Sequence, residues 1–227
     1  MSGKFYSVGV GPGDPELVTL KAIKTIENSD LIVVPDSGAK NNVALEIAGK
    51  WIKDKKILAL SMPMTRDRSA LDGYHEEAAD SIAVFLDMGK QVSFLTLGDP
   101  SIYSTAMYVH RKLQERHYSV EIIPGVPSFC AAAAALNFSL CEGSETLHVV
   151  PASYQDVAKT LDWDGTKVFM KSGKSMKKVK ELLQQRNSCA AAVERCGMPG
   201  ESIHKNLESM DPTPSYFSIV IVKGKPE

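Results

Sequence analysis

The chain has 227 residues, enough for one large domain or two small ones with a proper core. Hydrophobic residues make up 44% and charged residues 23%, as in ordinary globular proteins. A net charge of -1, and no apolar run near the roughly 20 residues of a bilayer span, argue against nucleic-acid and membrane partners, so an anionic ligand would need a local basic cluster.

Strand and helix patterns alternate through the first half. Phe5 to Val10 reads as a strand that starts almost at the N-terminus, with no basic, apolar leader pattern, and a cytoplasmic location is the expectation. Leu17, Leu20, Ile23 and Ile26 recur at helical spacing, which predicts a helix over 15–28 capped by Asp14, with Pro15 at its first position. Strands are expected over 31–34, 57–60 and 92–97, and helices over 44–52, 74–88 and 103–116. Continuous apolar strands between amphipathic helices predict a mainly parallel sheet covered on both faces.

The second half changes character. A strand over 120–123 runs into Pro124-Gly125-Val126-Pro127-Ser128 and a small-residue helix over 129–136. Strands are expected over 147–150, 166–170, 190–193, 202–207 and 217–222, with helices only around 155–161 and 175–185. Short polar connections between the last strands predict antiparallel pairing. The expectation is α/β: two lobes, 1–118 and 119–227, each with a mainly parallel to mixed sheet flanked by helices, and an active-site cleft between them. Cys130, Cys141, Cys189 and Cys196 form no C-x-x-C pair and no zinc spacing, so no metal is expected and all four read as reduced, mostly buried thiols.

Three glycine-containing loops follow apolar strands. The first, Gly9-Val10-Gly11-Pro12-Gly13-Asp14, looks at first like a dinucleotide fingerprint. It has Asp14 where the last glycine is required, and Pro12 removes an amide from a phosphate cradle. That weighs against a nicotinamide-dependent oxidoreductase and suits a phosphate-free ligand. The second, Gly98-Asp99-Pro100-Ser101-Ile102-Tyr103-Ser104-Thr105, ends a strand at the edge where open α/β sheets bind ligands. The third is Ile123-Pro-Gly-Val-Pro-Ser-Phe129.

In this order and spacing the three loops, with Pro15-Glu-Leu-Val-Thr-Leu-Lys-Ala22 after the first, resemble the tetrapyrrole methylases over essentially the whole chain. Pro63-Met64-Thr65 with Asp67, and Tyr103-Ser104-Thr105, resemble its precorrin-2 and cobalt-factor II C-20-methyltransferase branch. The resemblance implies S-adenosyl-L-methionine as methyl donor, S-adenosyl-L-homocysteine as product, a tetrapyrrole substrate and a homodimer. It carries cofactor contacts to Pro12, Leu97, Gly98, Asp99 and Ile102. It carries them also to Pro127 and Ser128, where the family often has two hydroxyl residues and this chain has one, and to Met170 and Cys196. Without the family pattern, Met170 reads as core packing.

Methyl transfer from a sulfonium to carbon needs the nucleophile held in line with the C–S bond, and such positioning supplies on the order of 7–11 kcal/mol. Proton loss follows. Tyr103 and Asp14 are the candidate catalytic residues, Asp14 also reading as a helix cap, with Tyr108 and His110 considered as bases. His110 also reads as a surface or core-edge residue. Carboxylate arms on the substrate call for cations, with Arg66, Arg68 and Lys171 leading and Lys21, Arg111 and Arg195 behind them. Rival readings are methylation at another ring carbon such as C-11 or C-17, a family relative acting on ribosomal RNA or a diphthamide precursor, and a non-catalytic tetrapyrrole carrier.

Overall fold

The computed structural model describes residues 3–36, 38, 42–63, 65, 67–206, 208–209 and 215–224. They fall into two compact units, Met1–Pro127 and Ser128–Glu227. The sequence pattern predicts a division near Tyr118. The division falls later because the strand Ser119–Ile123 hydrogen-bonds along the first strand, Lys4–Gly9, and so completes the first sheet.

In the first unit the order is β1 (Lys4–Gly9), α1 (Leu20–Glu27), β2 (Leu31–Asp36), α2 (Val43–Ala48), β3 (Lys56–Ser61), α3 (Arg68–Asp87), β4 (Gln91–Thr96), α4 (Ala106–Glu115) and β5 (Ser119–Ile123). The five strands pair in parallel in the order β3-β2-β4-β1-β5. Alternating side chains split the core between the two faces. Phe5, Leu31, Val33, Val92 and Phe94 pack against Ala79, Ile82 and Leu86 of α3 and Val109 and Leu113 of α4. Val8, Ile32, Val34 and Leu95 pack against Ala22 and Ile26 of α1 and Ile47 of α2. Burying each large apolar side chain is worth about 1.5–3 kcal/mol, so both faces hold their helices firmly.

The element boundaries show where local chemistry overrode periodicity. Asp14 does cap a turn, accepting the Glu16 amide at 2.8 Å, but that turn is the short 3₁₀ segment Pro15–Leu17. The chain then extends, and Thr19 starts α1 by accepting the Ala22 amide at 3.1 Å. Helix α3 begins six residues earlier than the reading placed it, because Asp67 accepts the Ser69 and Ala70 amides. Helix α4 begins later, at Ala106, because Tyr103 sits at φ 51 and breaks the helical path.

The second unit contains α5 (Ser128–Leu136), β6 (Leu147–Pro151), α6 (Val157–Thr160), β7 (Thr166–Met170), α7 (Met176–Gln185), β8 (Ala190–Glu194), β9 (Ser202–His204) and β10 (Ser218–Val222). Its sheet is mixed, in the order β6-β7-β10-β8-β9. β6 and β7 are parallel, whereas β10 runs antiparallel to both β7 and β8, and β8 to β9. The antiparallel expectation for the late strands therefore holds. The cysteine expectation holds only in part: all four are free thiols, but Cys130, Cys141 and Cys189 are exposed and only Cys196 is buried. Cys130 shows why composition misled, since it takes an outer position on α5 while Phe129, Ala131, Ala132 and Ala133 turn inward.

Candidate functional site

Strand order fixes where a ligand can enter the first sheet. The connection leaving β1 crosses one face, through α1, to β2, and that leaving β4 crosses the other face, through α4, to β5. β1 and β4 are neighbours, so their C-terminal loops part in opposite directions. This is the topological switch point, where open α/β sheets hold ligands. Both loops singled out in the sequence, after Gly9 and after Leu97, are those two.

Backbone packs on backbone there. Gly11 and Gly98 form an antiparallel bridge, with Gly11 N donating to Gly98 O at 3.3 Å and Gly98 N to Gly11 O at 2.7 Å. Both glycines have φ near +75°, which a residue with a side chain rarely adopts. The loop after β5 closes on the same point. A Cβ at Gly125 would lie 2.2 Å from Gly98 O and 2.9 Å from Gly9 Cα, and one at Gly9 would lie 2.6 Å from Gly98 O. Asp99 then ties the loops together. It is buried, its Oδ1 accepts the Ser101 amide at 2.8 Å and the Ser101 hydroxyl, and its Oδ2 accepts the Gly125 amide at 2.9 Å. Thr19, before α1, donates to Pro124 O at 3.3 Å, and Thr96 bonds Ser104 at 2.9 Å.

This geometry decides which ligands fit. The amides of Val10, Gly11, Gly98, Ser101, Ile102 and Gly125 are all spent on bonds within the protein, and Pro12 has none. A pyrophosphate needs free amides converging on it. The loops offer close backbone approach and apolar surface from the partly buried Leu97 and Ile102, while Pro12 is buried beneath them.

The remaining predicted residues separate by unit. In the first, Tyr103 stands three residues before α4, 44% exposed, with its phenol pushed above the usual value by burial of its inner part, so it is protonated at neutral pH. His110 is buried rather than at the surface, because it faces Ser7 of β1: the Nδ1 to Oγ distance is 3.0 Å, and burial lowers its pKa. Tyr108 stacks flat on His75 at 4.6 Å, and Arg111 lies over the Tyr108 ring. Lys21 is paired to Glu121 at 2.6 Å. Arg66 lies outside the described residues, and of Arg68 only the backbone, at the start of α3, is described.

Pro127 and Ser128 end the first unit and begin the second. β7 and β8 both run antiparallel to β10, so their C-termini share one edge of the second sheet. Met170 and Lys171 lie at the first of these ends, Arg195 and Cys196 at the second. Lys171 and Arg195 hold φ values of 53° and 52°, strain of a kind that gathers at functional sites. Burial lowers the Lys171 pKa, and Arg195 Nε donates to Pro199 O at 2.8 Å. Sequence reasoning missed the Asp99–Gly125 tie. Its one legible signal was three glycines, each at or just past the end of an apolar strand.

Fold and loops together define a two-unit α/β protein with a candidate ligand site at the carboxyl edge of a parallel sheet. The chain matches the Tetrapyrrole (Corrin/Porphyrin) Methylases over residues 4–211, and it belongs to that family. It is 35% identical over 224 residues to a probable cobalt-precorrin-2 C(20)-methyltransferase of Methanocaldococcus jannaschii, covering 97% of this chain and 96% of that protein. It is 30% identical over 235 residues to a precorrin-2 C(20)-methyltransferase of a Sinorhizobium species, covering 98% and 96%. The fold is shared with the uroporphyrin-III C-methyltransferase of Thermus thermophilus solved with S-adenosylhomocysteine, at TM-score 0.71, 20% identity and 97% coverage of both chains.

Proposed function

We propose that this protein transfers a methyl group from S-adenosyl-L-methionine to C-20 of precorrin-2 or cobalt-factor II in cobalamin biosynthesis, as a homodimer in the cytoplasm. The observation that carries the reading is the meeting of the three glycine loops at the switch point, where Gly11 and Gly98 bond each other and Asp99 accepts the Gly125 amide. The names of the Methanocaldococcus and Sinorhizobium relatives, matched from end to end, support the substrate and the ring position.

S-adenosylmethionine supplies a methyl group on a cationic sulfur that is already a strong leaving group. What the chain must add is position. The proposed cofactor contacts are Pro12, Leu97, Gly98, Asp99, Ile102 and Pro127 in the first unit and Ser128, Met170 and Cys196 in the second. The electron pair of C-20 forms the bond to the methyl carbon, the C–S pair stays on sulfur as S-adenosylhomocysteine leaves, and C-20 then loses its proton to water. Tyr103, with its phenol neutral, orients the ring or that water by hydrogen bonding. Asp14 shapes the first loop through its bond to the Glu16 amide. Arg66, Arg68 and Lys171 are the proposed partners of substrate carboxylates.

A thermal-shift comparison tests the ligand class. S-adenosylhomocysteine is expected to raise the unfolding midpoint and NAD(P) to leave it unchanged. The reverse result would replace the methyltransferase with an oxidoreductase. A tetrapyrrole carrier would respond to macrocycle but to neither cofactor.

A further inference from the structure

Thr96 and Ser104 bond each other hydroxyl to hydroxyl at 2.9 Å. Thr96 is the last residue of β4, and Ser104 lies two residues before α4. Their bond therefore fastens the end of the strand to the start of the helix, and the loop 97–103 arches between them. Ser104 Oγ also accepts the Ala106 amide at 3.2 Å. It takes over the capping of α4, since Thr105 at the N-cap position makes no side-chain bond of that kind. A helix cap anchored in turn to a strand fixes where α4 begins against the sheet.

Tyr103 lies between two fixed points. On one side the turn from Asp99 to Ile102 is closed by Ile102 N donating to Asp99 O at 3.2 Å, with Asp99 Oδ1 holding the Ser101 amide. On the other stands the Ser104 fastening. Joining the two puts Tyr103 at φ 51°, a conformation that a residue with a large side chain adopts only when its surroundings impose it. Its ring is left 44% exposed at the carboxyl edge of the sheet. Cutting the fastening frees the chain after Tyr103 to relax out of the left-handed region, and the ring turns with it.

We infer that Thr96 is a positioning residue for methyl transfer, which aims the Tyr103 phenol through its bond to Ser104. This rests on the reading above, in which Tyr103 orients the substrate ring or the water that takes its proton. Thr96 acts through Tyr103 alone, so its worth to turnover cannot exceed that of the phenol it aims.

Thr96→Val keeps the shape and removes the hydroxyl, and Thr96→Ser keeps the hydroxyl. Ser104→Ala cuts the same bond from the other side, should the valine variant not fold. In protein labelled with 3-fluorotyrosine, the Tyr103 signal of the fluorine NMR spectrum is the one missing from Tyr103→Phe. It is expected to shift or broaden in Thr96→Val and Ser104→Ala and to return in Thr96→Ser. Turnover of S-adenosylmethionine with precorrin-2 or cobalt-factor II is expected to fall about three- to tenfold in Thr96→Val, the worth of one hydrogen bond, with S-adenosylhomocysteine affinity unchanged. Adding Thr96→Val to Tyr103→Phe should cost nothing further. An unmoved Tyr103 signal would overturn the inference, and so would equal losses of turnover with and without the phenol. If Tyr103→Phe alone leaves turnover unchanged, the role given to Tyr103 fails and this inference with it, a result that the fluorine spectrum tells apart from a failed fastening.

Discussion

Asp99 Oδ2 accepts the Gly125 amide at 2.9 Å, across 26 residues of sequence. That bond joins the loop after β4 to the loop after β5, and Oδ1 holds the turn at Ser101. A carboxylate bridging two loops at the switch point sets the shape of the candidate site. Asp99→Asn keeps the size but loses the charge and one acceptor oxygen. It is expected to lower stability by about 1–3 kcal/mol in urea unfolding and to weaken S-adenosylhomocysteine binding as well. Unchanged affinity would separate the bridge from the ligand site.

Gly125→Ala tests the backbone contact. Its Cβ would lie 2.2 Å from the Gly98 carbonyl oxygen, and neither backbone can yield cheaply. The expected loss is about 3 kcal/mol or more. Gly73→Ala is the matched control, since nothing lies within 4 Å of its Cβ and it is inside α3. That change should stabilise by about 0.5–1 kcal/mol.

Stability should fall on mild acidification. Burial lowers the pKa of both His75 and His110 from 6.5, favouring neutral rings in the folded protein. The unfolded chain takes up those protons first. Stability present above about pH 6.5 is therefore lost as pH falls toward the folded-state values. His110→Gln removes one of the two groups, so the slope of unfolding midpoint against pH between 6.5 and 5 should become shallower. An unchanged slope would remove His110 from the explanation.

Tyr103→Phe separates orientation from proton transfer. Burial raises the phenol's pKa, which favours its neutral, hydrogen-bonding form. Turnover is expected to drop no more than about tenfold, the worth of one hydrogen bond, with cofactor affinity unchanged. Abolished turnover with intact affinity would mean that positioning alone does not account for the reaction.

Much of the site was legible because its signals are local. A glycine after an apolar strand, and a proline where a cradle needs an amide, each act through their own backbone. So the loops at Gly9, Gly98 and Pro124 could be read in order. The Asp99–Gly125 tie could not, because it depends on which strands become neighbours. The order β4-β1-β5 is set by packing of helices on two faces, not by any one segment. The same limit hid His110, whose burial follows from β1 placing Ser7 beneath α4. Strained positions at Tyr103, Lys171 and Arg195 were equally invisible, since positive φ at such residues is imposed by the surrounding fold.

The most direct measurement gives the protein methyl-labelled S-adenosylmethionine with metal-free precorrin-2 and with cobalt-factor II in parallel, and locates the new methyl by NMR. The label is expected on C-20 of at least one of the two. A label on any other carbon would contradict the assignment, and no transfer to either ring would contradict the proposed activity.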